Sequence, residues 1–163
     1  MMPSPYLAPV IFLVLIANGT PLMVQKVLGR RYSQPVDGDH QFVDGRPLFG
    51  RAKTVRGVAC AIAVTTAAAT AIGLAWQIGL LVGSLAMVGD LSSSFVKRRL
   101  GRSSSSPLVG IDQIPESLFP LLVCMRPLSL TIADVALGVA IFFVGELVVS
   151  RLLYAFDLRD PPY

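Results

Sequence analysis

Residues 89–101 read Gly-Asp-Leu-Ser-Ser-Ser-Phe-Val-Lys-Arg-Arg-Leu-Gly, and residues 57–89 before them carry no formal charge. On a helix, Asp90, Ser93, Ser94 and Lys97 fall at i, i+3, i+4 and i+7 and share one face. That face joins a carboxylate able to hold a hard divalent ion to hydroxyl and ammonium groups suited to phosphate. An ionisable group inside the end of an apolar span costs about 2–3 kcal/mol, which marks Asp90 as a candidate functional residue. Asp112 supplies a second acid, and two carboxylates reaching a common point suit Mg²⁺, an ion that keeps positions for substrate phosphates. Glu116, one turn beyond Asp112, is a third ligand or a partner to the other two. Lys97 shares the Asp90 face and is the candidate phosphate contact. Arg98 and Arg99 point elsewhere, either holding a lipid phosphate or reaching to the membrane surface. Ser94 donates to phosphate or orients Asp90.

A second group of residues precedes this one. Asn18-Gly-Thr-Pro21 interrupts the first apolar run and can open its backbone toward a cavity. Further on, Asp44-Gly-Arg-Pro-Leu-Phe-Gly-Arg-Ala-Lys-Thr-Val-Arg-Gly57 interleaves glycines with cations just ahead of an apolar helix. Glycines let backbone approach a phosphate, lysine and arginine neutralise it, and a helix start favours anions. The P-loop spacing is absent, so this is a generic phosphate-binding pattern.

The elements that must position these residues are membrane spans. Hydrophobic residues make up 53% of the 163 and charged residues 15%, which excludes an ordinary soluble domain. The sequence predicts a single all-α, polytopic integral membrane domain over 1–163, with about five spans at 6–28, 57–74, 78–98, 111–126 and 131–156. Seven of the 14 cations lie from Lys26 to Arg56 and four from Lys97 to Arg102. The positive-inside bias then puts the N-terminus outside the cell membrane and both polar loops in the cytoplasm, where a single active site faces soluble substrates. The net charge of +4 sits beside apolar segments and gives no reason to expect a nucleic-acid partner. Cys60 and Cys124 lie in apolar runs as packing residues, Asp134 is placed to cap the fifth helix, and the Ser103–Ser106 run has no assigned role.

Taken together, Ala17-Asn-Gly-Thr-Pro21, Asp44-Gly-Arg with Phe49-Gly-x-x-Lys53-Thr-x-Arg56-Gly57, Gly89-Asp-Leu-x-x-Ser94-Phe-Val-Lys-Arg-Arg-Leu-Gly101 and Asp112-Gln resemble the CDP-archaeol synthase family, relatives of the CDP-diacylglycerol synthases. Their order and spacing fit over essentially the whole chain, and Arg51-Ala52 departs from the family's pattern before the lysine. The resemblance implies a Mg²⁺-requiring cytidylyltransferase that transfers CMP from CTP to a membrane glycerol-lipid phosphate. It implies that Asp90 and Asp112 bind the metal and that Ser94, Lys97 and Arg98 contact phosphate. Asn18, Lys53, Thr54 and Arg56 would then form part of the nucleotide site. The alternative from another class is a small cation or metabolite transporter that uses Asp90 and Asp112 in transit.

Overall fold

The computed structural model describes residues 3–29, 31–102, 108 and 110–155. The Ser103–Ser106 run and the end of the last expected span at 156 lie outside the described residues. Five helices follow in order: α1 (Leu7–Leu28), α2 (Val55–Ala71), α3 (Trp76–Arg99), α4 (Gln113–Cys124) and α5 (Ile132–Ala155). Among the described residues there is no β-strand, so the chain is all-α. Helices α1 and α3, with 22 and 24 residues, and Ile132–Val149 of α5 are long and apolar enough to cross a membrane. Helices α2 and α4 are shorter, at 17 and 12 residues.

Local chemistry explains the ends and irregularities. Helix α2 starts at Thr54, whose Oγ1 accepts the Gly57 amide at 3.2 Å. At the start of α5, Asp134 Oδ2 accepts the Thr131 amide at 2.9 Å while Thr131 Oγ1 accepts the Asp134 amide at 3.1 Å, a reciprocal cap. Asp134 Oδ1 also accepts the Ser4 amide at 3.0 Å, tying the start of the chain to α5. The expected interruption of the first span does not occur: α1 runs through Pro21 as one helix. Thr20 Oγ1 and Asn18 Nδ2 donate to the Ile16 and Val14 carbonyls, at 2.7 and 3.1 Å. The ring at Pro21 removes only one rung of the ladder.

Helix α3 packs against α1, α2 and α4, and α5 closes the bundle against α4 and α1. Leu13, Val14, Val82, Leu121 and Phe142 are essentially inaccessible and form the main core. Small residues set the crossings of α3. A Cβ at Gly79 would lie 2.7 Å from Thr66 Cα, and one at Gly89 would lie 2.7 Å from Glu116 Cα and closer still to the Pro115 carbonyl. The α3 and α4 backbones therefore touch one residue before Asp90.

The loop from α1 to α2 is organised by one carboxylate. Asp37, 7% exposed, accepts the Phe49 and Gly50 amides through Oδ2, each at 2.9 Å, and the Asp39 amide through Oδ1 at 3.2 Å. Val36 N donates to Lys53 O at 2.8 Å and Val55 N to Gln34 O at 3.0 Å, so the loop returns alongside its own start. Burial acts to raise the Asp37 pKa, but the amide donors outweigh it and hold the carboxyl below its ordinary value of 3.8.

Two outcomes follow from these contacts. Gly89→Ala meets backbone on the facing helix and should destabilise the purified protein by about 1–3 kcal/mol, read as a lower melting temperature in detergent. An unchanged melting temperature would contradict the close crossing. For Asp37 the folded pKa lies below the unfolded one, so its stabilisation is present above that ordinary value of 3.8 and is lost as pH falls through the lower folded value. Protection of the Phe49 and Gly50 amides, corrected for intrinsic exchange, should hold at neutral pH and collapse below that range. Asp37→Asn should expose both amides already at neutral pH.

Candidate active site

The last turns of α3 emerge from the apolar bundle with Asp90 and Lys97 on one face, and each meets an opposite charge from another segment. Lys53 Nζ, from the loop before α2, sits 2.5 Å from Asp90 Oδ1 and 2.7 Å from Oδ2. Lys97 Nζ sits 2.8 Å from Asp112 Oδ1 at the start of α4, while Asp112 Oδ2 accepts the Leu108 amide at 3.2 Å. The four side chains range from 8% to 23% exposed, so both pairs are largely withdrawn from solvent. Deleting one partner of such a pair strands a charge, at a cost of about 3–5 kcal/mol when burial is complete.

Glu116, 5% exposed, lies within hydrogen-bond reach of Asp90. Asp90 faces Glu116 and Lys97, two turns on, faces Asp112, so the two aspartates occupy successive rungs of the antiparallel α3–α4 crossing. Among the described residues, no three His, Cys, Asp or Glu side chains gather into a ready cage for a metal ion. Mg²⁺ is commonly bound by one or two carboxylates plus substrate phosphates and water, and the carboxylates that would hold it here are Asp90 and Asp112, each paired with a lysine. Ser94 and Arg98 are buried on α3, at 2% and 6% exposure, and Ser93 Oγ donates to the Asp90 carbonyl at 2.9 Å.

The remaining residues singled out by sequence are engaged in the scaffold around this centre. Thr54 caps α2. Arg56 donates to the Gly29 and Arg31 carbonyls just past the end of α1. Asn18 bonds back to α1 through its amide nitrogen, and its buried Oδ1 has no hydrogen-bond partner. Such an atom faces a desolvation cost until a donor or ion reaches it.

Three contributors carried little or no sequence signal. Asp37 lies in an acidic, glycine-containing turn of the kind that usually faces water. Gly89 heads the Asp90 motif, yet nothing in the sequence marks it as the point where α3 touches α4. Arg99, expected to hold lipid phosphate or reach to the membrane surface, instead packs its guanidinium carbon 4.8 Å from the ring centroids of both Phe42 and Phe95. The signal that could have found Arg99 is Asp44-Gly-Arg46, an acid and a turn placed to meet a basic helix end.

A family model described as CarS-like, CDP-archaeol synthase, matches residues 69–163. A CDP-archaeol synthase of Pyrobaculum calidifontis is 32% identical over 153 residues, covering 91% of each chain. One from Sulfurisphaera tokodaii is 30% identical over 155 residues, covering 91% of this chain and 90% of that one. A solved structure described as an intramembrane enzyme for archaeal membrane lipids biosynthesis superposes with a TM-score of 0.68. Its sequence is 29% identical, over 86% of this chain and 89% of its own. With the apolar helices and the paired charges at the α3–α4 crossing, these likenesses place the chain, an integral membrane protein, in the CDP-archaeol synthase family.

Proposed function

We propose that this chain is a CTP-dependent cytidylyltransferase that forms a CDP-lipid from a membrane glycerol-lipid phosphate, with release of pyrophosphate. The observation that carries the proposal is the double pairing of Lys53 with Asp90 and Lys97 with Asp112. Two carboxylates and two ammonium groups withdrawn from solvent match a reaction whose obstacle is the approach of one phosphate anion to another. The relatives named CDP-archaeol synthase favour an ether-linked isoprenoid glycerol phosphate over a diacyl one.

The chemistry needs no strong general base, because a phosphate monoester is largely dianionic near neutral pH. A lipid phosphate oxygen attacks the α-phosphorus of CTP, a new P–O bond forms, and the bond to the β-phosphate bridging oxygen breaks. Mg²⁺ held by Asp90 and Asp112 would neutralise the triphosphate and stabilise the departing pyrophosphate. Lys53 and Lys97, beside those carboxylates, are the ammonium groups that would neutralise the phosphate oxygens during transfer. Ser94 and Arg98 stand on the same turns of α3 as further phosphate contacts, and Asn18 Oδ1 is an acceptor for the nucleotide side. Thr54 and Arg56 act through the loop they anchor.

Arg46 donates to the Arg98 and Arg99 carbonyls, which puts the α1–α2 loop and the end of α3 at one end of the bundle. We assign that end to the cytoplasm, where CTP is found, since most of the cations collect there. The N-terminus would then lie outside. A cation carrier would need acids along several spans available to a passing ion, and Asp134 is already engaged as the cap of α5.

The test is transfer of label from α-³²P-CTP into a lipid-extractable product. Isoprenoid-ether and diacyl glycerol phosphates are offered separately, with Mg²⁺ or with EDTA. Label should appear with the ether lipid and Mg²⁺ and vanish with EDTA. Asp90→Asn and Lys97→Met should each lower kcat by at least about 100-fold, the scale of a lost charge-stabilising contact, in protein that still elutes as a folded species. Absence of label with every lipid phosphate would refute the assignment, and cation flux in liposomes would then be the expected activity.

A further inference from the structure

The tip of the α1–α2 loop is a tight hairpin: Phe42 N donates to Arg46 O at 2.8 Å and Gly45 N to Phe42 O at 2.9 Å. This hairpin and the end of α3 exchange arginines. Arg99 Nη1 pairs with Asp44 Oδ1 at 2.7 Å, and Arg99 Nη2 donates to the Pro47 and Arg46 carbonyls at 2.5 and 3.3 Å. In return, Arg46 Nη1 donates to the Arg99 and Arg98 carbonyls at 2.5 and 3.3 Å, the groups a helix end leaves unbonded. The Arg99 guanidinium lies against both Phe42 and Phe95, whose rings meet edge to face at 5.3 Å. Gly101, at φ +71°, turns the chain away beside the Arg46 guanidinium.

We propose that Arg99 is a positioning residue that latches the α1–α2 loop onto α3 and thereby holds Lys53 over the active site, and that it does not bind lipid phosphate. Asp90 and Arg99 are nine positions apart on α3, about 13.5 Å along its axis, and the loop is fastened at both. Between the fastenings, the Phe49 and Gly50 amides are pinned by Asp37, so the path from Pro47 to Lys53 has little freedom. Every bond of the Arg99 fork is directed, and the stacking needs a flat cation. A lysine there keeps the charge but loses the fork and the stack. The catalytic consequence rests on the cytidylyltransferase assignment; the latch itself does not.

The test uses the full-length protein in detergent with Arg99→Lys, Arg99→Met and Asp44→Asn. Hydrogen–deuterium exchange over residues 36–50 reads the latch without any substrate. Exchange there should accelerate about tenfold in both Arg99 variants, and in Asp44→Asn, while the amides of α1 and α3 stay protected. Steady-state kinetics should show KM for CTP raised about tenfold, with KM for the lipid phosphate within twofold of wild type and no rescue by lysine. Rescue of both readouts by Arg99→Lys would overturn the proposal in favour of a bound phosphate, as would a rise confined to KM for the lipid. Unchanged loop exchange in Arg99→Met would overturn it whatever the kinetics. If the wild-type protein transfers no label at all, the function assignment fails, while the exchange data still decide whether the latch exists.

Discussion

A carboxylate at the end of an apolar helix has to be neutralised by a charge from elsewhere, and that requirement organises this protein. Asp90 follows residues 57–89, which carry no formal charge, and its cationic partner lies 37 positions earlier in the chain. Satisfying it brings the α1–α2 loop down onto α3. The same logic acts at Asp112, whose pairing with Lys97 fastens the start of α4 to the end of α3. Neutralisation and assembly of the site are thus one event. The groups that hold the fold together at this end are the groups a pair of phosphate anions would need.

The pairing works only because the backbones approach closely. Gly89 lets α3 touch α4 at Pro115 and Glu116, and Gly79 and Gly83 do the same against α2. These crossings leave the last two turns of α3 surrounded by α4 on one side and the loop on another. The paired charges are confined to one end of the bundle, and the apolar length of α1, α3 and α5 would keep that end at a membrane surface. Under the proposed function, a water-soluble nucleotide and a lipid-anchored phosphate would meet there without either leaving its own phase.

Much of this was legible in the sequence because the signals are local. Periodicity on the helix placed Asp90, Ser94 and Lys97 on one face, and apolar runs located five helices. The reading of Asn18-Gly-Thr-Pro21 as a break failed, since the ring at Pro21 removes a single backbone donor and α1 continues through it. What the sequence did not reveal is which cation meets which acid. Lys53 was legible as a phosphate-binding candidate, yet its bond to Asp90 depends on the path of the whole loop. That path is fixed by Asp37 and Arg99, whose partners lie far off in sequence or are backbone amides and carbonyls. Long-range contacts of that kind leave no periodic trace. Gly89 was legible as part of the Asp90 motif but not as a helix contact, because that role lies in what a Cβ would strike on another helix.

On the function proposed, the lysine–aspartate pairs mark the place where the triphosphate binds. The most direct measurement is an experimental structure of the chain with CTP and Mg²⁺. We expect a metal ion on the Asp90 and Asp112 carboxylates, with Lys53 and Lys97 moved from those carboxylates onto phosphate oxygens. A triphosphate bound elsewhere, with Lys53–Asp90 and Lys97–Asp112 both intact, would contradict it.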